Sequence, residues 1–267
     1  MCDTLTPIQF RTCAGLANRI RALVSAICIA EEAGRPLHIW WPPEPHICSA
    51  PFKALFDISA LQIPFQVILK EEWPINSEET LLKTQEDWEH LAHLERIPFL
   101  KSYYQFYTKD TEKWLARLRS LEPRKEFIDK VNELLAAPLG SGAPLIGIHI
   151  RRGDHRHCIL NSPTDLFLQK MRNQLSVAPN TIFFLASDDE KEKKRIQEEF
   201  GKEKILSAAE TLNRHTTKGG ADAFLDFLVL SQCQEIWGSA GSSFSELAAQ
   251  YGGARFVPIS RTMCPNT

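Results

Sequence analysis

Short apolar runs alternate with amphipathic stretches through the second half of the chain. Strands are predicted at 145–150, 181–186, 204–206, 235–237 and 256–258. Helices are predicted between them at 165–174, 190–200, 221–232 and 244–250. Apolar runs of this length, separated by stretches with helical periodicity, are typical of buried parallel strands. The pattern therefore predicts an α/β fold with a doubly wound sheet.

The first half of the chain begins in the same way and then becomes irregular. A strand, a helix and a second strand are predicted at 8–11, 17–33 and 37–41, an order that favours parallel pairing. Further on, the pattern predicts a strand at 65–69, helices at 52–56, 111–121 and 124–136, and a loop or strand edge at 97–99. Because the residues of 138–144 favour turns, that segment is the predicted linker between domains at 1–140 and 141–267.

Composition narrows the classes of function. The 267 residues leave room for two domains, and a net charge of −2 indicates neither a nucleic-acid-binding surface nor an acidic tail. No apolar stretch approaches the roughly 20 residues of a membrane-spanning helix, and the first residues lack the pattern of a signal peptide. The seven cysteines include no C-x-x-C pair, so we expect reduced thiols rather than a zinc site or a disulfide framework.

The predicted strand at 145–150 ends in a cationic cluster. His149 stands near the end of the strand, Arg151 and Arg152 follow it, and Asp154 closes the cluster. Ligands of open α/β sheets bind at the carboxyl ends of the strands, and the planar fork of an arginine suits a phosphate group. The alternative is a solvated cluster in which Asp154 pairs with an arginine, although surface ion pairs contribute only about 0–1 kcal/mol. The cluster favours an enzyme acting on a phosphorylated or nucleotide-activated substrate.

Two further loops have the composition of anion sites. Gly15 lies between the first strand and its helix, where a ligand can approach the backbone and helix amides favour anions. Ser242 and Ser243 precede the helix at 244–250, and their hydroxyls and amides could hold a phosphate. Taken alone, the first loop is more typical of an ordinary turn, and the second is as typical of a helix cap as of a phosphate site.

A pair of carboxylates follows the strand at 181–186. Asp188 and Asp189 could bind a divalent metal or accept hydrogen bonds from a base or a sugar. Alternatively, Ser187 or Asp188 caps the following helix, where an acidic residue is favourable. An aspartate at this position can cap the helix and also contact a bound molecule.

Together these loops resemble the fucosyltransferase superfamily, which includes the α-1,2-, α-1,6- and protein O-fucosyltransferases. The resemblance is carried by the His-x-Arg-Arg-Gly-Asp loop at 149–154, by 185–189, by 225–232 with 242–245, and by a Gly-x-x-Asn-Arg element at 15–19. It covers most of the second half and the first 20 or so residues. The region from about 45 to 140 carries none of it.

The resemblance implies a GT-B-like architecture, in which two Rossmann-like domains face each other across a cleft and the N-terminal one is reduced. It implies an inverting transfer of a sugar, most typically fucose, from a GDP-sugar to a hydroxyl of a glycan or glycoprotein. No metal and no other cofactor are expected. A transferase for another nucleotide sugar and a non-catalytic nucleotide- or glycan-binding protein stay open. Because no anchor is visible, we expect a cytoplasmic enzyme of bacterial or viral type, unless the sequence is a fragment that lacks a Golgi anchor.

The same resemblance implies roles for individual residues. Arg151 and Asn18 would be the catalytic residues, with Arg151 on the β-phosphate and Asn18 near the pyrophosphate and the sugar. The other predicted nucleotide-sugar contacts are His149 at the nucleoside, Asp226 at guanine or a neighbouring residue, Ser242 and Ser243 at phosphate oxygens, and Arg152, Asp154, Asp188, Asp189 and Gly15 around them. A general base is needed as well. Glu44, His46 and Asp57 are candidates for it, and the sequence favours none of them.

Overall fold

The chain folds into two compact units. The computed structural model describes residues 6–45, 47–57, 59, 67–70, 78–153, 155–211, 213 and 215–261. The N-terminal unit comprises Met1–Arg124 with His215–Thr217, and the C-terminal unit comprises Lys125–Arg214 with Lys218–Thr267. The units therefore divide at Arg124, ahead of the domain boundary predicted at 140, because the helix at 125–140 packs with the C-terminal unit.

The N-terminal unit is built on a five-stranded parallel sheet in the order β3-β2-β1-β5-β4. Its strands are β1 (Ile8–Thr12), β2 (Leu37–Trp40), β3 (Val67–Lys70), β4 (Glu79–Leu81) and β5 (Phe99–Ser102). Its helices are α1 (Leu16–Ala33), α2 (Phe52–Leu55), α3 (Gln85–Ala92) and α4 (Thr111–Arg119). The chain moves from β1 to β2 and β3 on one side, and β5 and β4 lie on the other. The topological switch point, the place where ligands of such sheets bind, is therefore between β1 and β5.

The C-terminal unit repeats this plan with the sheet order β10-β9-β6-β7-β8, and its strand pairs are parallel. Its strands are β6 (Leu145–Ile150), β7 (Ile182–Ser187), β8 (Ile205–Leu206), β9 (Glu235–Ser239) and β10 (Arg255–Ile259). Its helices are α5 (Lys125–Gly140), α6 (Arg156–Asn161), α7 (Thr164–Val177), α8 (Glu190–Phe200), α9 (Thr217–Ser231) and α10 (Ser243–Gly252). All six residues of β6 are buried, as a central parallel strand requires. The switch point of this unit lies between β6 and β9.

The segments predicted at 138–144 and 97–99 differ from the structure. The predicted linker at 138–144 begins inside α5, because the helix continues through Pro138 to Gly140. Pro138 is buried in the last turn, so the one helix hydrogen bond that a proline cannot donate is lost close to the end of α5. The segment predicted as a loop or strand edge at 97–99 leads into β5, a strand that pairs with both β1 and β4. Within the described residues, no helix combines the length and the apolar character needed to cross a membrane.

Candidate functional site

Three of the predicted loops start side by side in the C-terminal unit. In the sheet, Ile150 pairs with Ser187 of β7, and His149 pairs with Gly238 of β9. The Ser187 hydroxyl donates to the Ile150 carbonyl (2.8 Å), and the Arg151 amide donates to Ser239 Oγ (3.0 Å). The described parts of these loops, 149–153, 187–189 and 238–243, are therefore joined at the switch point.

Arg151 is oriented by a carboxylate that follows the neighbouring strand. Its Nη1 donates to Asp188 Oδ2, and the side chains of Arg151 and Asp188 are 21% and 24% exposed. The other oxygen of Asp188 accepts the amide of Arg152 (2.7 Å). Asp188 thus fixes both the guanidinium and the backbone of this loop. The result is a partly exposed, positioned cation at the end of the central strand.

Arg152, one position further along, is buried and is used by the fold. Its Nε donates to Glu192 (3.2 Å), its Nη2 to Thr164 (2.5 Å), and its Nη1 to the carbonyl of Arg151 (2.9 Å). Thr164 also donates to Glu192 (2.7 Å). Arg152 was predicted to contact the nucleotide-sugar. Its observed partners favour a positioning role, in which it holds the loop that presents Arg151.

The end of the loop and the adjacent helix are shaped by the two aspartates after β7. Gly153 has a φ of +39°, and a Cβ there would lie 2.6 Å from Asp188 Oδ2, so this position requires glycine. Asp189 caps α8 by accepting the amides of Lys191 and Glu192. The cap was expected at Ser187 or Asp188 and lies at Asp189, because Asp188 is already engaged with the arginine loop. Asp154 lies outside the described residues.

His149 is a buried, neutral histidine at the end of β6. It is 6% exposed, and burial, reinforced by the charge of Arg151, lowers its pKa to about 3. Its ring packs against Phe244 of α10 with centroids 4.9 Å apart. Within the described part of the chain, Nδ1 is buried without a hydrogen-bond partner. Buried polar atoms are rarely left this way in the absence of a ligand or a water molecule, so this nitrogen marks a candidate contact.

Asp226 on α9 is the second strongly perturbed group. It is 5% exposed, and burial raises its pKa to about 7, although the charge of Lys193 on α8 opposes the change. Oδ1 accepts the amide of Ala209 (3.1 Å) and thereby holds the loop after β8. Perturbed groups of this kind cluster at functional sites.

The serine loop between β9 and α10 has the form of an anion site. Ser242 stands at the N-cap of α10, but its side chain makes no capping hydrogen bond. Its amide donates to the Ser239 carbonyl (3.1 Å), and Ser243 begins the helix. α10 can approach the strand closely because residue 238 is glycine: a Cβ there would lie 2.2 Å from Ser245 Oγ. The helix N-terminus therefore presents its amides beside the arginine loop.

The N-terminal unit places Gly15 and Asn18 at its own switch point, where β1 passes into α1. A Cβ added at Gly15 would meet no atom within 4 Å, so the space beside it is open. Ala14 has a φ of +68°, a left-handed conformation that is strained for alanine. Arg19, fully buried, holds this turn through Nε on the Ala14 carbonyl (2.7 Å). Asn18 is half-buried next to this anchor.

The candidate general bases also belong to the N-terminal unit. Glu44 pairs with Arg19 (3.0 Å), so its carboxylate neutralises a buried cation. Asp57 is exposed, and its Oδ1 accepts both the amide and the hydroxyl of Ser59. His46 lies outside the described residues. These contacts favour neither Glu44 nor Asp57 as the general base.

Three side chains that support the site are not among the predicted site residues. Ser239 fixes the Arg151 amide, and Thr164 with Glu192 receives Arg152. Glu192 lies in a helix so rich in charge that no single residue stands out, whereas Ser239 could have been found from its place at a strand end beside the arginine loop. Among the described residues, no group of three or more histidines, cysteines and carboxylates is arranged to hold a metal.

Comparisons with known proteins support the fold. No protein-family model and no curated protein sequence matches the chain. The structure of NodZ α-1,6-fucosyltransferase soaked with GDP-fucose matches with a TM-score of 0.68 at 17% identity, over 99% of this chain and 98% of that chain. A structure of fucosyltransferase NodZ from Bradyrhizobium matches with a TM-score of 0.65 at 17% identity, over 92% and 93%.

A second group of structures matches over a similar length. POFUT1 in complex with GDP-fucose matches with a TM-score of 0.65 at 13% identity, over 98% of this chain and 100% of that chain. The α/β, GT-B-like fold expected from the sequence is confirmed by these likenesses and by the two parallel sheets. The chain therefore has the same fold as these fucosyltransferase structures.

Proposed function

We propose that this protein is an inverting fucosyltransferase that moves fucose from GDP-fucose to a hydroxyl of a glycan or a glycoprotein without a metal. The observation that carries the proposal is Arg151, which Asp188 and Ser239 hold at the switch point beside the N-terminus of α10. The fold supports it, since enzymes of the same fold were solved with GDP or GDP-fucose.

The main requirement of the reaction is stabilisation of the negative charge on the leaving group, GDP. The acceptor oxygen forms a bond to the sugar C1 while the bond from C1 to the β-phosphate oxygen breaks, and GDP keeps that electron pair. The acceptor proton passes to a base. Negative charge therefore grows on the diphosphate, where Arg151 and the amides of the serine loop would stabilise it. Because Arg151 is already oriented, little reorganisation is needed during the reaction.

The nucleoside end of the donor would be recognised by the buried groups. His149 offers a neutral ring whose Nδ1 lacks a partner among the described residues. Asp226 offers a buried carboxyl group on the neighbouring helix. Both would gain hydrogen bonds from a bound base, and each has a pKa that marks it as strongly desolvated.

The test is calorimetric titration of the purified protein with GDP, UDP and ADP, followed by an assay for GDP release from GDP-fucose. We expect a clear preference for GDP, much weaker GDP binding by Arg151→Ala, and turnover that survives EDTA. The matched control is Arg255→Ala, which removes a mostly exposed arginine of the same unit. If UDP bound as tightly as GDP, the assignment of GDP-fucose as the donor would be wrong. Loss of turnover in EDTA would contradict the proposed independence of a metal. GDP binding without sugar release on any acceptor would instead indicate a binding protein.

A further inference from the structure

Four aromatic side chains stand in the five residues after β5, and they divide into two pairs. Phe106 and Tyr107 are 0% exposed. Phe106 packs against Phe10 of β1, and the Tyr107 hydroxyl donates to Glu32 of α1 (2.7 Å). Tyr103 and Tyr104 are only half-buried although they come first in the segment. The first pair belongs to the core, whereas the second needs another explanation.

Tyr103 and Tyr104 stack on one another, so the aromatic surface that they can offer is the outer face of the pair. Their ring centroids are 4.2 Å apart, and the hydroxyl of Tyr104 donates to that of Tyr103 (2.9 Å). The backbone beneath them is fixed, since the Tyr104 amide donates to Ser102 Oγ (3.0 Å) and the Tyr103 carbonyl accepts Arg21 Nε (2.9 Å). The surface is therefore preformed, and a ligand that binds it pays little for ordering the side chains.

The tyrosine pair lies at the switch point of the N-terminal unit. Thr12 of β1 pairs with Ser102 of β5, and the next residue, Cys13, donates its amide to the Ser102 carbonyl (3.2 Å). The tyrosines thus start beside the turn that leads to Gly15 and Asn18. Ligands of open α/β sheets bind where two such strands end.

The charge of this edge differs from that of the arginine loop. Arg11 and Lys101, which face each other on β1 and β5, both pair with Glu79 of β4 (2.6 and 3.0 Å). Two cations share one carboxylate, so this ion cluster keeps one net positive charge, but the side chains that continue past it are uncharged: phenols, a thiol and an amide. These uncharged side chains suit a neutral ligand with an apolar face and several hydroxyls, which is the chemistry of a sugar ring.

We propose that Tyr103 and Tyr104 form the acceptor platform, on which the C–H face of a neutral sugar of the acceptor glycan stacks while the phenol groups contact its hydroxyls. This inference rests on the proposed function and adds the class of acceptor to it. It makes the tyrosine pair a determinant of acceptor binding with no part in binding the donor.

The experiment measures glycan and donor binding separately. Wild-type protein and the variants Tyr103→Ala, Tyr104→Ala and Tyr103→Phe/Tyr104→Phe are applied to a printed array of neutral oligosaccharides in the presence of GDP. GDP affinity is measured for each by calorimetry. Tyr103→Leu and Tyr104→Leu keep apolar volume without an aromatic face, in case an alanine variant does not fold. Tyr251→Ala, which removes a half-buried tyrosine from α10, is the matched control.

We expect the wild type to bind at least one neutral glycan. Binding should fall at least about tenfold in the alanine and leucine variants, as for an aromatic anchor at the centre of an interface. It should fall only a few-fold in the double phenylalanine variant, which keeps the rings but loses the phenol contacts, and it should stay close to the wild-type value in Tyr251→Ala, with GDP affinity unchanged throughout. The inference is overturned if the wild type binds no neutral glycan, if the alanine and leucine variants bind equally well, or if only unglycosylated peptides serve as acceptors. Failure of the wild type to bind GDP would instead overturn the proposed function.

Discussion

The two units share one local arrangement at their switch points, in which a buried arginine holds the loop that carries a predicted donor contact. In each, the residue predicted to meet the donor is followed directly by a buried arginine: Asn18 by Arg19, and Arg151 by Arg152. Arg19 and Arg152 are 0% and 7% exposed. Each donates to a carbonyl of its own loop, Arg19 to Ala14 and Arg152 to Arg151. The buried arginine fixes the backbone, and the predicted donor contact is the residue that precedes it.

The two loops differ in what surrounds the anchor. Arg19 uses the carbonyls of Ala14 and Pro42 and one carboxylate, Glu44. Arg152 uses Glu192 and Thr164, and a second carboxylate, Asp188, orients the exposed cation. The predicted ligand contact is thus a cation in the C-terminal loop and a neutral amide in the N-terminal loop. Under the proposed function, the cation suits the phosphates of the donor, and the amide suits the hydroxyls of a sugar.

The largest effect is expected from Arg151→Ala. Loss of one preorganised donor to a developing negative charge costs about 10²- to 10³-fold in kcat. The folding stability should change by less than about 1 kcal/mol, since this side chain is partly exposed. GDP release from GDP-fucose and urea unfolding measure the two quantities. Arg151→Lys, which keeps the charge without the fork, should recover only part of the activity. If Arg151→Ala unfolded readily but kept its kcat, Arg151 would be the residue that holds the loop, the role assigned above to Arg152.

The complementary pattern is expected from Arg19→Ala and Arg152→Ala. Each removes a buried cation and leaves carbonyl and carboxylate oxygens without their donors, at a cost of about 3 kcal/mol of unfolding free energy. Urea unfolding measures the loss, with the exposed Arg255→Ala as the control. For Arg152→Ala, the GDP affinity at a temperature where the variant is folded should fall less than for Arg151→Ala. If Arg152→Ala kept the stability of the wild type but did not bind GDP, Arg152 would itself be a residue that contacts GDP.

The sequence was a good guide to the C-terminal unit. The strand at 145–150 and the helix at 190–200 were predicted at their observed bounds, because a continuous apolar run and a long amphipathic stretch are both strong signals. The position of the charged loop followed from them. The division of labour between Arg151 and Arg152 could not follow, since only the packing of Glu192 and Thr164 decides which of two adjacent arginines turns inward.

The N-terminal unit was harder to predict. β4 has three residues and β5 follows a proline, so neither carries a clear period of two. The order of the strands, which brings Tyr103 beside Cys13, depends on contacts between residues far apart in the chain. The tyrosine pair therefore emerges only in the structure, although its sequence neighbours Phe106 and Tyr107 would have been assigned to a core by composition alone.

Asp226→Asn tests the cost of the buried carboxyl group in the C-terminal unit. Since burial raises the pKa of Asp226 from 3.8 to about 7, the folded state holds a proton that the unfolded state releases between these values. The stability contributed by this protonation is present below about pH 4 and is lost as the pH rises to about 7. The variant cannot ionise, so at pH 8 it should be more stable than the wild type by at least about 1 kcal/mol. At pH 4 the two should be nearly equal. Urea unfolding at both pH values checks the sign, and a variant that is less stable at pH 8 would mean that the ionised form is stabilised in the fold.

The smallest effect concerns the backbone of the two loops. Ala14 is left-handed with φ +68°, whereas the C-terminal loop places a glycine, Gly153, at φ +39°. Ala14→Gly should relieve the strain of a Cβ, worth about 1–2 kcal/mol, while the unfolded chain gains freedom worth roughly 0.4–1 kcal/mol, so the net gain in stability is about 0.5 kcal/mol. Gly153→Ala should destabilise, since its Cβ would also meet Asp188 Oδ2 at 2.6 Å. Thermal unfolding of the two variants measures both signs. A loss of stability in Ala14→Gly would show that the packing of the Ala14 methyl group outweighs its backbone strain. The turn before Asn18 would then be stabilised by this packing as well as by the hydrogen bond from Arg19 to the Ala14 carbonyl.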